Sequence, residues 1–244
     1  MTGRAPARAK DRIGILAPME QELDAVIAGF DRPLTERLVN RTFHSGVLHG
    51  RDAVAVVAGI GKTAVATTTT LLVSHFGVGT VVLTGVAGRV SEELGIGDVV
   101  VATHLVHHDL DASPIFPRYH VPTLGIARLA TDEAVSSLAY AAAQSFSEQQ
   151  RGGSVRVLRG LVLSGDQFMK PAQLEDLRSR FPDALAVEME GAAVAQVCIE
   201  AEVPYAVVRC ISDDGDAAAF ESFLNSEWGP YASAIVGGIL TAMA

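Results

Sequence analysis

The chain has 244 residues, 49% of them apolar, and a formal net charge of −9. That length suits one large α/β domain or two small ones, with apolar side chains enough for a sizeable core. The acidic balance argues against nucleic acid as a partner, and no apolar stretch is long and uninterrupted enough to span a bilayer.

Arg4, Arg8, Lys10 and Arg12 alternate with Ala, Gly and Pro, without the apolar core of a signal peptide, so residues 1–11 read as a disordered leader. Strand and helix signals alternate from Arg12 onward. Ile13 to Ala17 is a short buried strand, and Met19 to Phe30 has helical spacing, with Leu23, Val26, Ile27 and Phe30 on one face. Thr42 to Leu48 and Arg51 to Ala58 read as strands joined at His49-Gly50. A glycine turn, Gly59-Ile60-Gly61-Lys62, leads into a helix through Phe76. Thr80 to Thr84 is a strand ending in Gly85-Val86-Ala87-Gly88, and Asp98 to Val106 is another. Thr131 to Gln149 is an alanine-rich helix. Val155 to Ser164 (strand), Pro171 to Arg180 (helix), Ala184 to Val187 (strand), Gly191 to Ala201 (helix) and Tyr205 to Ile211 (strand) follow, with a helical C-terminus from about Gly229. This order predicts a three-layer α/β/α sandwich around a mixed, mainly parallel central sheet, with an antiparallel portion near the start. No linker or shift in composition divides residues 12–244, which read as one domain. Cys198 and Cys210 sit in apolar segments and read as packed, reduced thiols, which suits a cytoplasmic protein.

The segments Ala186-Val187-Glu188-Met189-Glu190 and Val207-Val208-Arg209-Cys210-Ile211-Ser212-Asp213 carry the strongest chemical signal. Each is an apolar run ending in ionisable residues, and a small-residue helix separates them. Such a unit brings both acidic clusters to one end of a parallel sheet, where open α/β folds place their ligand crevice. Carboxylates are costly at the ends of buried strands, which points to chemistry. The alternative is that Glu188, Glu190 and Asp213 are solvated caps.

Glu20 and Glu22 open the first helix, where the helix dipole favours acids; in the functional reading one of them faces a cleft and activates water. Gly59-Ile60-Gly61-Lys62 can cradle an anion on backbone amides, but it lacks dinucleotide and P-loop spacing. Thr84-Gly85-Val86-Ala87-Gly88 reads equally as a tight turn or as a place for close ligand approach. His104, His107, His108, Asp109 and Asp111 match no zinc spacing, so no metal is expected. The adjoining Ser113-Pro114-Ile115-Phe116-Pro117 is rigid and apolar, suited to a subunit contact. Phe168, in Gly165-Asp166-Gln167-Phe168-Met169, is either core or a platform for a planar base.

Five of these segments occur in an order that resembles the 5'-methylthioadenosine/S-adenosylhomocysteine nucleosidases of the nucleoside phosphorylase superfamily. They are Ile13-Gly14-Ile15 with Met19-Glu20-Gln21-Glu22, then Gly59-Ile60-Gly61-Lys62, Ser164-Gly165-Asp166-Gln167-Phe168, Val187-Glu188-Met189-Glu190 and Arg209-Cys210-Ile211-Ser212-Asp213. The resemblance implies hydrolysis of the bond between adenine and a 5'-thio-substituted ribose, with no cofactor. It implies Asp213 as the acid that protonates the seven-position nitrogen of adenine and Glu22 as the base that orients and deprotonates water. Glu190 would bind the ribose hydroxyls, with Met189 beneath the ring. Phe168 would stack on the base and the Met169 backbone would hydrogen-bond it. Ser212 would fix Asp213, Arg209 would lie near the water, and Phe220 would close over the 5'-thio group. Met19, Val86, Ala87 and Gly88 would complete the substrate site. A homodimer is implied, with the Ile115-Phe116-Pro117 loop a candidate to reach the partner's pocket.

The chemistry is consistent with those types. Adenine leaves poorly until protonated, the ribosyl centre becomes cationic, and water needs aiming. An acid and a base separated by a water is also, by analogy, the arrangement of inverting glycosidases. Four departures from the family pattern stand out: Val86 occupies a position usually Ser or Thr, Arg89 replaces a glycine, the stretch from Asp213 to Phe220 is short, and residues 109–114 diverge after the His-Asp start. The competing readings are a phosphate-dependent purine nucleoside phosphorylase, a hydrolase of another purine nucleoside such as futalosine, and a non-catalytic nucleoside-binding protein.

Overall fold

The computed structural model describes residues 9–149, 155–226 and 228–243. Of the leader expected over residues 1–11, residues 1–8 lie outside the described residues, and Ala9, Lys10 and Asp11 already run as the start of strand β1 (Ala9–Ala17).

Helix α1 (Glu20–Ile27), strands β2 (Leu34–Leu38), β3 (Arg41–Leu48) and β4 (Arg51–Val57), helix α2 (Lys62–Ser74) and strands β5 (Val78–Arg89), β6 (Val99–His107) and β7 (Leu129–Ala130) follow. The second half contains α3 (Glu133–Gln149), β8 (Val157–Ser164), α4 (Pro171–Arg180), β9 (Ala184–Glu188), α5 (Gly191–Glu200), β10 (Tyr205–Asp213), α6 (Ala217–Ser226) and α7 (Trp228–Ala242). Nine of the ten strands lie in the order β10-β6-β8-β9-β5-β1-β4-β3-β2, with β7 beside β6. A further pairing of β10 with β5 closes β5, β10, β6, β8 and β9 into a ring.

Alternation along the strands sends neighbouring side chains to opposite faces. Ile13, Ile15 and Ala17 pack with Leu23 and Val26 of α1, Phe146 of α3 and Ile239 of α7. Leu16 faces the other way, with Val65 and Leu72 of α2 and Val194 of α5. Helices therefore cover both faces of a mixed sheet, as the element order predicts. The same parity puts Cys210 in the first cluster and Cys198 in the second, so the two free thiols sit on opposite sides of the sheet.

Three details differ from the sequence reading. Antiparallel pairing is not confined to the first hairpin: β5–β9, β6–β10 and β6–β7 are antiparallel too. Strand β5 runs straight through Gly85 to Arg89 instead of turning after Thr84. Finally, β9 and β10 are not neighbours in a parallel unit. They run in opposite senses on either side of β5, and their carboxyl ends meet there: Gly88 is in register with both Asp213 and Val187. Strand β2 and helix α6 were not foreseen. The first is an exposed edge without apolar alternation.

Candidate active site

The carboxyl ends of β5, β9 and β10, the start of α1, the turn before α2 and the segment after β8 enclose one cavity of about 250 Å³. Its walls include Met19, Glu22, Val86, Ala87, Gly88, Phe168, Met169, Met189, Glu190, Ser212, Asp213 and Phe220. The fold thus brings together every expected site residue except Arg209. Pro18, Ile60, Gln167, Leu174, Val187 and Glu188 complete the lining.

Asp213 ends β10 and is buried beside Gly88, where an added Cβ would come within 3.3 Å of its Oδ1. Its Oδ2 accepts the Ser212 hydroxyl at 2.8 Å and its Oδ1 the Gly215 amide at 2.8 Å. Burial pushes its carboxyl above the usual range, against the pull of those two donors, and Asp214 and Asp216 add to the rise.

Glu22 is the third residue of α1 and serves two ends. Its Oε2 accepts the Met19 amide at 2.7 Å, the reach-back bond of a helix cap. Its Oε1 accepts the Val86 amide across the cavity wall at 2.9 Å. Burial lifts its carboxyl to about 7, while Arg209 and the two amides hold it down. Glu22 thus both caps the start of α1 and lines the cavity.

Glu188 and Glu190 divide their work. Glu188 satisfies the start of α5: it accepts amides of Glu190 and Gly191, the hydroxyl of Ser164 and a guanidinium N–H of Arg209. Ser164 in turn accepts the Ala192 amide at 2.7 Å. Glu190 Oε1 accepts the Gly61 amide at 2.8 Å and its Oε2 takes Arg209 Nη2 at 3.3 Å. Burial raises the Glu190 carboxyl, with Arg209 opposing. The anion-cradling turn expected at residues 59–62 is thus filled by the protein's own carboxylate. Gly61 sits at φ +96°, a backbone state that favours glycine.

Arg209 corrects an expectation. It is completely buried and lies behind the carboxylates, not on the cavity surface. Burial works against its charge, and Glu188, Glu190 and Glu22 outweigh that effect and hold it cationic. Its close approach needs Gly85, because a Cβ there would lie 2.1 Å from Arg209 Nη1.

Phe168 is 42% exposed and meets Phe220 edge-on, with ring centroids 5.8 Å apart. Ser164, Glu188, Gly61 and Ile60 carry site functions that the sequence reading did not assign to them. The signal for Glu188 was its place three residues before the first free amides of α5. Among the described residues no three His, Cys, Asp or Glu side chains gather as cation ligands. In the His-Asp segment, Asp109 is taken by Lys62 and Asp111 by Ser113.

Residues 12–237 match the model of the Phosphorylase superfamily. The 5'-methylthioadenosine/S-adenosylhomocysteine nucleosidase of Anoxybacillus flavithermus is 37% identical over 217 residues, covering 87% of this chain and 90% of that protein. The Neisseria meningitidis nucleosidase of the same name, solved in complex with methylthio-immucillin-A, superposes with a TM-score of 0.87 at 31% identity, covering 95% of this chain and 99% of the other. The futalosine hydrolase of Helicobacter pylori superposes with a TM-score of 0.83 at 34% identity, covering 94% and 97%.

Proposed function

The chain belongs to the phosphorylase superfamily and, within it, to the 5'-methylthioadenosine/S-adenosylhomocysteine nucleosidases, and on that premise we propose how its cavity works. The enzyme hydrolyses the N-glycosidic bond of 5'-thio-substituted adenosines, releasing adenine and the thioribose. Asp213, its carboxyl raised by burial, gives a proton to the leaving base. Glu22, with a carboxyl near 7, takes the proton of the attacking water. Glu190 binds the ribose hydroxyls and, with Glu22, stabilises the positive charge that develops at the ribosyl centre. Met189 packs beneath the ribose, Phe168 stacks on adenine, the Met169 backbone reads its edge, and Phe220 with Met19 closes over the 5'-substituent. Ala87, Gly88 and Val86 form the floor. Ser212 fixes Asp213, and Arg209 acts through Glu190 and Glu188 as a positioning residue.

One observation carries the choice of water over phosphate. Among the described residues the cavity lining holds four carboxyl side chains, Glu22, Glu188, Glu190 and Asp213, and no Lys, Arg or His. The amide of the glycine turn already serves Glu190, and Arg209 is capped by Glu188. A phosphate dianion would find repulsion where it needs donors. Incubating the protein with methylthioadenosine and S-adenosylhomocysteine, with and without phosphate, tests this: free thioribose is expected in both conditions, and a ribose 1-phosphate product would overturn it. The likeness to a futalosine hydrolase supports a second reading at the same site, cleavage of another purine nucleoside, and futalosine in the same panel decides between them.

The protein acts in the cytoplasm as a homodimer. Supporting this, no helix among the described residues is long and apolar enough to cross a membrane, both thiols are buried and free, and Ile115, 81% exposed, stands on an apolar loop.

A further inference from the structure

The Lys62 side chain and the His-Asp segment have no part in the mechanism above, yet the fold brings them together at the rim of the cavity. Lys62 is the first residue of α2, immediately after the turn that carries Ile60 and Gly61. Its Nζ donates to Asp109 Oδ1 at 2.7 Å and pairs with Asp166 Oδ2 at 3.1 Å. The Asp166 amide donates to Asp109 Oδ2 at 2.9 Å, and the Lys62 amide to Asp166 Oδ1 at 3.4 Å. Three connections that share no strand pairing at these points are therefore fastened to one ammonium group.

Two of the three carry site residues. The turn before α2 holds Glu190 through Gly61, and Asp166 is followed directly by Gln167, Phe168 and Met169 of the cavity wall. That last segment spans from the end of β8 to α4 without strand or helix structure. At its far end the Lys170 amide is held by Gln173 Oε1 at 2.9 Å, and Gln173 Nε2 donates to Gln167 Oε1 at 3.2 Å; at its near end the Gly165 amide donates to the Glu188 carbonyl at 3.0 Å, and Asp166 makes the contacts with Lys62 and Asp109.

We propose that Lys62, with Asp109 and Asp166, is a positioning clamp that sets the base platform of Phe168 and Met169 against the carboxylate-holding turn, and so sets the affinity for the nucleoside. The inference rests on the proposed reaction for its substrate and on geometry for its mechanism. The Lys62 and Asp109 side chains are 21% and 32% exposed, which shields that pair from solvent better than an ordinary surface bridge, whereas Asp166 is 59% exposed and adds less. Burial alone would lower the Lys62 ammonium, and its hydrogen bonds to Asp109 and Asp166 raise it instead. The ammonium is thus charged throughout the neutral range. Stacking on the base is made equally in ground and transition states, so loss of the clamp falls on KM and spares kcat.

The test is steady-state kinetics on methylthioadenosine with Lys62→Met, Asp109→Asn, the double variant and Lys62→Arg. Lys62→Met is expected to raise KM about tenfold, the loss typical of one charged hydrogen bond, with kcat within about twofold of the parent. Asp109→Asn should do the same, the double variant should lose little more, and Lys62→Arg should recover most of the affinity. A KM unchanged in Lys62→Met, losses that multiply in the double variant, or a fall confined to kcat would overturn the clamp. The parent's own turnover checks the proposed reaction separately. Adenine affinity by calorimetry gives the parent-to-variant ratio for the clamp even where turnover is absent.

Discussion

Asp213 and Glu22 are both carboxyls withdrawn from water, and their partners suit them to opposite tasks. Asp213→Asn keeps the shape, the Ser212 contact and a hydrogen bond to the base, but has no proton to transfer. Turnover should fall about a hundred- to ten-thousand-fold with substrate binding little changed; near-normal turnover in a folded variant would mean the acid is misassigned. Glu20→Gln is the suitable comparison, being acidic, exposed and on the same helix start as Glu22. Glu188→Gln is not, because Glu188 holds Arg209, Ser164 and the start of α5 together. Glu22 also gives a pH prediction. Its carboxyl is raised from the ordinary value of 4.5 to about 7, so the folded state holds its proton more tightly than the unfolded chain does. Stability from this group is fully present below 4.5 and is lost as pH rises to about 7, roughly 3 kcal/mol in all. Catalysis needs the ionised form, so kcat/KM should climb over the upper part of that same window. A profile flat from about pH 5 to 8 would exclude Glu22 as the base.

At the scale of elements, β5 is the strand on which the site depends. It pairs with β10 from Val81 to Gly88 on one side and with β9 at Gly88 and Arg89 on the other, so its last residues lie between Asp213 and the turn of Glu188, Met189 and Glu190. It also passes close to α1, whose Glu22 takes the Val86 amide. This crowding requires Gly85, where a Cβ would lie 2.1 Å from Arg209 Nη1 and 2.8 Å from Glu22 Oε1. We expect Gly85→Ala to cost about 1–3 kcal/mol in denaturant unfolding through overpacking, and to reduce turnover beyond what that loss explains, because both displaced groups belong to the site. A variant as stable and active as the parent would show that the approach is looser than described. Helix α6 brings Phe220 opposite Phe168. Its helical character was written in Phe220, Phe223 and Leu224, spaced three and four apart, but the preceding Gly215 and Asp216 read more strongly as loop.

For the whole molecule, the closed ring of five strands gathers charged groups that are distant in sequence around one buried cation. Arg209 faces Glu188, Glu190 and Glu22, and in the mechanism we propose the charge that stabilises a developing oxocarbenium ion comes from the chain's own carboxylates. We accordingly expect turnover unaffected by a chelator and independent of phosphate; activity lost with chelator and restored by a metal would contradict the carboxylate mechanism. The apolar loop bearing Ile115 and Phe116 gives the prediction for assembly. Ile115→Asp should shift the particle toward monomer in sedimentation and raise KM for substrates with long 5'-substituents, whereas a monomeric parent would remove the dimer from the reading.

The sequence by itself determined the alternation of strands and helices and marked Glu188, Glu190 and Asp213 as carboxylates at strand ends, because short apolar runs ending in charge are a local signal; the tasks of acid, base and ribose-binding carboxylate follow only from the family resemblance. The sequence also marked Gly59-Ile60-Gly61-Lys62 as a turn able to cradle an anion, but not that Glu190 would accept its Gly61 amide. How Glu188 and Glu190 divide their partners, why Gly85 has no side chain, where Arg209 lies and that Lys62 meets Asp109 were decided only by the tertiary structure. Each depends on a contact between segments tens of residues apart. The reversal of β9 relative to β10 is of the same kind. A strand's sequence states which side chains are buried, but its direction in the sheet is set by the neighbours it pairs with.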